Sequence, residues 1–270
     1  MRTLLPALLL IALGLTARLH AQSQTPQQII AAAVQSEIAA DLADHTNWIY
    51  LHHDVKPDSD TLTLVAESPL GSATRKLEDH GHPLTPDQAR QDADRARAFA
   101  ADRDRQIKAK RDSRHDDDEA EAMMRLLPVA FLWQLKSETP DRQTLAFRPN
   151  PGFTPHTLTA RVLATMAGEV HIVRAHGGQP MRIELIQGML TDDVTIGWGL
   201  LARLRKGGRF RVERSEIAPG VWQITGSHIH MEGRALLFKS FGEQEDETMT
   251  GFRPSAARDI PEATAELGLP

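Results

Sequence analysis

The side chains best able to do chemistry here are the histidines, 12 in a chain of 270 residues. His228-x-His230 falls in a period-two run, so both imidazoles share one face of an expected strand. That spacing can supply two ligands to a metal such as zinc. A metal centre also needs a third histidine or carboxylate held nearby, and the sequence points to none. Ile229 and Met231 claim the apolar face, so the pair is expected to be solvated. His80-x-His82 sits beside Gly81 and Pro83 in an expected loop, and His52 and His53 point to opposite faces of a strand. No metal site is expected.

Other chemistry is also unsupported. The chain has no cysteine, which removes disulfides, thiol nucleophiles and cysteine-held metals. There is no Gly-x-Ser-x-Gly elbow, no phosphate-cradling glycine loop and no His-Glu-x-x-His helix. Carboxylates are plentiful but fall in charged, solvated stretches, so no glycosidase pair can be picked out. The expectation is a protein that is not an enzyme, with no catalytic residues and no cofactor. The net charge of -5 argues against a nucleic-acid partner, which needs a basic face.

Arg2, the apolar run Leu4–Leu15 and the small residue Ala21 form the three parts of a secretory signal peptide. The run is too short for a membrane helix, which needs about 20 residues. Cleavage near Ala21 is expected, giving a periplasmic protein that is not an integral membrane protein.

The elements that would position any site follow from periodicity. Thr25-Pro26 starts a helix over 26–44 whose stripe is Ile30, Val34, Ile38 and Leu42, with Gln35, Glu37 and Asp41 off it. Runs around Leu62, Phe131, Leu145, Ile183, Phe210, Trp222 and Ile229 alternate apolar and polar residues, as half-buried antiparallel strands do. About 9–11 strands are expected. Residues 85–125 interrupt them, with 21 of 41 residues charged, so a solvated helix insertion is expected there. Asp116-Asp117-Asp118 is expected to cap a further helix carrying Met123, Met124, Leu126 and Leu127 to the sheet. A short helix is expected near 157–167. The domain plan is a signal peptide over 1–21, one domain over 22–253 with the insertion at 85–126, and a flexible tail over 254–270.

The aromatic residues concentrate in the strands. They either fill a core or line an open apolar cleft. A curved sheet of some ten strands cannot bury its apolar face on itself unless it closes or is covered, and the covering helices are few and polar. An incompletely filled concave face is a natural apolar site. Phe131, Trp133, Leu185, Phe210 and Trp222 are therefore the expected ligand-binding residues.

Three stretches carry a family resemblance: His82-Pro-Leu-Thr-Pro-Asp-Gln-Ala89; Pro149-Asn-Pro-Gly-Phe-Thr-Pro155 with Ala160-Arg161-Val162-Leu163; and Ile196-Gly-Trp-Gly-Leu-Leu-Ala-Arg203 with Arg209–Glu213. With the order of elements, the chain resembles the bacterial lipoprotein-sorting family, that of the periplasmic lipoprotein carrier, and especially its uncharacterised envelope relatives. The resemblance implies an α+β fold, an antiparallel half-open β-barrel with an N-terminal helix and an inserted helical lid. It implies binding of a lipid or lipoprotein acyl chain, in lipid or lipoprotein trafficking, with no catalytic residues. The alternative is a non-catalytic envelope module with a filled core, whose charged helix docks on a protein partner.

Overall fold

A computed structural model describes residues 24–196, 202–235 and 244–269. The signal segment over 1–21, Trp198, Phe238 and positions 197–201 of the third resembling stretch lie outside the described residues.

Helix α1 (Pro26–Ala43) begins as expected. The Thr25 hydroxyl accepts from the Gln28 N–H, the Gln28 side chain returns a bond to the Thr25 N–H, and proline occupies the first turn. Strands β1 (Trp48–Lys56), β2 (Ser59–Ser68) and β3 (Gly71–Asp79) form a meander, with the two-residue β4 (His82–Pro83) beyond it. The insertion is two helices, α2 (Pro86–Ala101) and α3 (Arg103–Ala130), broken at Asp102, whose carboxylate caps α3 through the Arg105 N–H. Asp116, Asp117 and Asp118 therefore lie inside α3 and start nothing, contrary to the expected cap. With 28 residues, α3 is about 42 Å long.

Strands β5 (Phe131–Glu138) and β6 (Arg142–Pro149) follow. Next come the short α4 (Leu158–Leu163), β7 (Met166–Val173), β8 (Arg182–Leu190), β9 (Val194–Ile196) and β10 (Ala202–Leu204). Last are β11 (Arg209–Ala218), β12 (Val221–His230), β13 (Gly233–Ala235), β14 (Gln244–Pro254) and α5 (Ile260–Glu266). Helix α4 stops short of 167 because the chain enters β7 at Met166.

The fold is α+β. Eleven strands form one open antiparallel sheet in the order β4-β3-β2-β1-β14-β12-β11-β8-β7-β6-β5, with β4 and β5 at its unpaired edges. It does not close into a barrel. Strands β13, β10 and β9 form a separate small sheet.

Two cores hold the layers together. In the larger, Ile29, Ile30, Ala33, Val34 and Ile38 of α1 pack with Leu127 and Ala130 of α3 over Phe131, Leu145, Phe147, Val170, Ile172 and Ile183. The smaller joins Ile49, Ala66 and Ala73 to Ala96 of α2 and to Ala257, Ala263, Leu267 and Leu269. The residues after Pro254 are thus not a flexible tail. Asp259 caps α5 through the Glu262 N–H, and Ile260, Ala263 and Leu267 are buried. A seven-residue helix shows little period of its own, which is why the sequence reads as unstructured there.

Candidate functional site

The five expected ligand-binding residues do not line one cleft. Phe131, 1% exposed, packs its ring 4.6 Å from Phe147 and 5.9 Å from Trp133, beneath α1 and α3. The Trp133 indole N–H donates to the Leu127 carbonyl at 3.1 Å, so its polar edge is satisfied inside the cluster. Phe210 packs against the same core across Gly188, where a Cβ would come within 2.9 Å of its ring. Trp222, half-buried, pairs with Glu216 outside that core.

Leu185 belongs to the other face. The register pairs it with His171 and Glu213, one residue out of step with the core pair Val170 and Ile186. There it lines a groove of about 450 Å³ with His171, Gln187, Arg211 and Glu213. Arg211 donates to Glu213 at 2.8 Å and to Gln187 at 2.6 Å, so the groove's charges satisfy each other.

The histidine pair does find a carboxylate. His228 Nδ1 lies 2.7 Å from Asp246, and His230 Nε2 lies 3.0 Å from the same group. Asp246 comes from β14, the neighbour of β12, a partner that sequence spacing could not reveal. Burial works to raise the Asp246 carboxyl, but the hydrogen bonds from both histidines hold it below the usual carboxylate range. One carboxylate shared by two rings is a complete hydrogen-bonded unit on a largely solvated strand face.

A second polar cluster spans β1 and β14. His52 Nε2 lies 3.1 Å from Glu247; this bond raises the imidazole and lowers the carboxyl. Asp54, Glu245 and Glu247 come close enough to hold a cation. However, the Lys56 ammonium already stands 2.7 Å from Asp54 and 2.5 Å from Glu245. Burial opposes its charge, yet the bonds to Asp54 and Glu245 hold the amine above its ordinary value. A resident ammonium supplies the charge a metal would bring.

The feature least covered by its own chain is the first part of α3. Residues 103–120 are exposed except for half-buried Gln106, Lys110 and Asp112. Basic residues predominate first, Arg103, Arg105, Lys108, Lys110, Arg111 and Arg114 with Asp104 and Asp112 among them; acidic residues then predominate, Asp116, Asp117, Asp118, Glu119 and Glu121, before Arg125. In α2, by contrast, each charge meets its opposite three residues on: Asp87 with Arg90, Asp92 with Arg95, Asp94 with Arg97. Among the described residues, Arg103, Arg114, Asp116, Asp117 and Asp118 form no ion pair. Burial and its two acidic neighbours push the Asp117 carboxyl up.

The inner side of α3 borders a cleft of about 500 Å³ against the β2–β3 turn. Leu70, Phe99 and Ile260 give it an apolar part; Glu67, Lys110 and Asp117 give it charge. Lys110 donates to the Pro69 carbonyl, tying helix to turn. Sequence reasoning missed this cleft because Leu70 sits in a turn and Ile260 in a segment without visible period.

No helix among the described residues is long and apolar enough to cross a membrane. Comparison with protein-family models, curated proteins and solved structures finds no match, so the geometry alone carries the functional argument.

Proposed function

We propose that this chain is an exported, non-catalytic envelope module whose charged arm, α3, docks on a polypeptide partner. In this reading the sheet is a half-open barrel plugged by α1. The observation that carries it is the contrast between a core filled around Phe131 and a long helix whose first two-thirds stands exposed, mostly basic residues ahead of mostly acidic ones. Helices in proteins draw most of their stability from a packed face. The first two-thirds of α3 meets its own chain only along the side that borders the cleft, so a partner of complementary charge would cover the outer side. The test is a photo-crosslinking residue at position 111, compared with one at Gln187 on the sheet, in intact cells. The reading expects polypeptide adducts from position 111, lost when Arg114 and Asp118 are reversed in charge. Adducts equal at both positions, or none, overturn it.

A second reading, binding of an acyl chain, is favoured by the cleft of Leu70, Phe99 and Ile260 with Lys110 at its rim. It moves the ligand away from the aromatic set. A fluorescent fatty-acid titration of the wild type and of Leu70→Asp decides it. Saturable binding lost in the variant supports it, and no binding ends it.

A further inference from the structure

We propose that the partner of α3 is a second copy of α3, paired antiparallel about a two-fold axis passing between Arg114 and His115. This rests on the docking reading and names its partner.

The inner side of the helix is fixed by its contacts. Gln106, Lys110, Ser113, Arg114 and Asp117 border the cleft, and Met124 and Leu127 join the core. At 100° per residue, the opposite side is a stripe of Asp104, Ile107, Lys108, Arg111, His115, Asp118, Ala122 and Arg125, with Glu121 at its edge. All are exposed except half-buried Glu121, and Ile107, at 59%, is among the most exposed large apolar residues described.

A two-fold axis makes the same patch serve both copies, so the patch must complement itself. This stripe does. With the axis between Arg114 and His115, Asp104 faces the partner's Arg125, Lys108 faces the partner's Glu121, and Arg111 faces the partner's Asp118. Ile107 faces the partner's Ala122, a small apolar contact on either side of the axis. The charged positions away from the axis thus meet opposite charge, and the apolar one meets an apolar residue. A helix whose charges were merely solvating it would have no reason to mirror itself. Opposite charges at positions symmetric about the axis are what antiparallel self-pairing requires. Lys108 and Glu121 also pair within their own helix, with Asp112 and Arg125, so association trades some contacts and adds others. Charged pairs set partner and orientation in coiled coils, and here the seam between them is only Ile107 and Ala122. A single helix pair is a small, salt-sensitive interface, so association is weak and reversible.

The experiment is sedimentation velocity of the purified chain over a concentration series at low and high salt. The wild type, Arg111→Asp, Asp118→Arg and the double variant Arg111→Asp/Asp118→Arg are compared. The wild type is expected to dimerise at low salt and to dissociate as salt rises. Each single reversal sets like charges across the axis and is expected to weaken association about tenfold or more. The double variant restores opposite charges and is expected to recover the dimer. Both sites are exposed, and an unchanged circular dichroism spectrum and melting temperature keep folding out of the comparison. A wild type that stays monomeric at low salt, a dimer indifferent to the single reversals, or a double variant that fails to recover overturns self-pairing. If position 111 then crosslinks to a polypeptide of different mass, the docking reading stands without it. If it crosslinks to nothing, both fall.

Discussion

Glu37 shows how one residue can hold an element to the sheet. Its Oε1 accepts from the Ile183 N–H at 2.5 Å, and its Oε2 lies 2.9 Å from Arg214 and 3.5 Å from Arg182. Burial pushes the carboxyl up, while Arg214, the Ile183 N–H and Arg182 pull it back. Removing one member of such a buried set strands the rest. Glu37→Ala is therefore expected to cost about 3–5 kcal/mol in urea denaturation. Glu37→Gln, which keeps an acceptor for the Ile183 N–H, should cost less; equal losses would show that the acceptor is irrelevant. The sequence placed Glu37 off the buried stripe because its partners lie far along the chain. The stripe of Ile30, Val34 and Ile38 was legible; that a carboxylate beside it turns inward was not. His52 and Glu247 carry a pH dependence. The raised imidazole stabilises fully below about pH 6.5 and loses this as pH rises through its folded value. The lowered carboxyl stabilises above about pH 4.3 and loses this as pH falls through its folded value. The pair thus contributes most between those limits. His52→Gln should lower the unfolding free energy more at about pH 5.5 than at about pH 8. A gap that does not shrink at the higher pH would contradict the pair.

Elements with a strong local signal were readable, and elements defined by docking were not. Thr25-Pro26 and Thr85-Pro86 each start a helix with the same capping box. The alternating runs around Leu62, Leu145 and Phe210 are strands. The break at Asp102 and the passage of α3 through three aspartates were hidden, since acidic residues both cap helices and tolerate exposed interiors. The strand order was hidden too. Strand β14 pairs between β1 and β12, joining strands more than 150 residues apart. Helix α5 is the sharpest case. Leu267 is 2% exposed, so Leu267→Ala should cost about 2–5 kcal/mol by calorimetry or urea. A flexible tail would give no change.

Across the whole molecule, stability divides between a packed end and a more open one. Phe131→Ala, in the filled cluster, should cost about 3–5 kcal/mol, while Trp222→Ala, half-buried beyond that core, should cost clearly less in the same denaturant series. Equal costs would extend the core to the β11–β12 turn. The main sheet has eleven strands, the top of the expected 9–11, and three more form a small sheet; α1 packs on the face expected to lie open, a packing decision that alternation cannot announce. An open sheet also leaves two rims of unpaired backbone. At one, the chain stops after two residues, and Pro83 brings no N–H for an incoming strand. At the other, β5 departs from regular register between Leu135 and Ser137 and presents the cation of Lys136, which is paired to Glu169. Short length, proline, irregular register and charge are the means by which sheets refuse further strands. Both rims of the main sheet thus carry features that disfavour the growth of a sheet into fibrils.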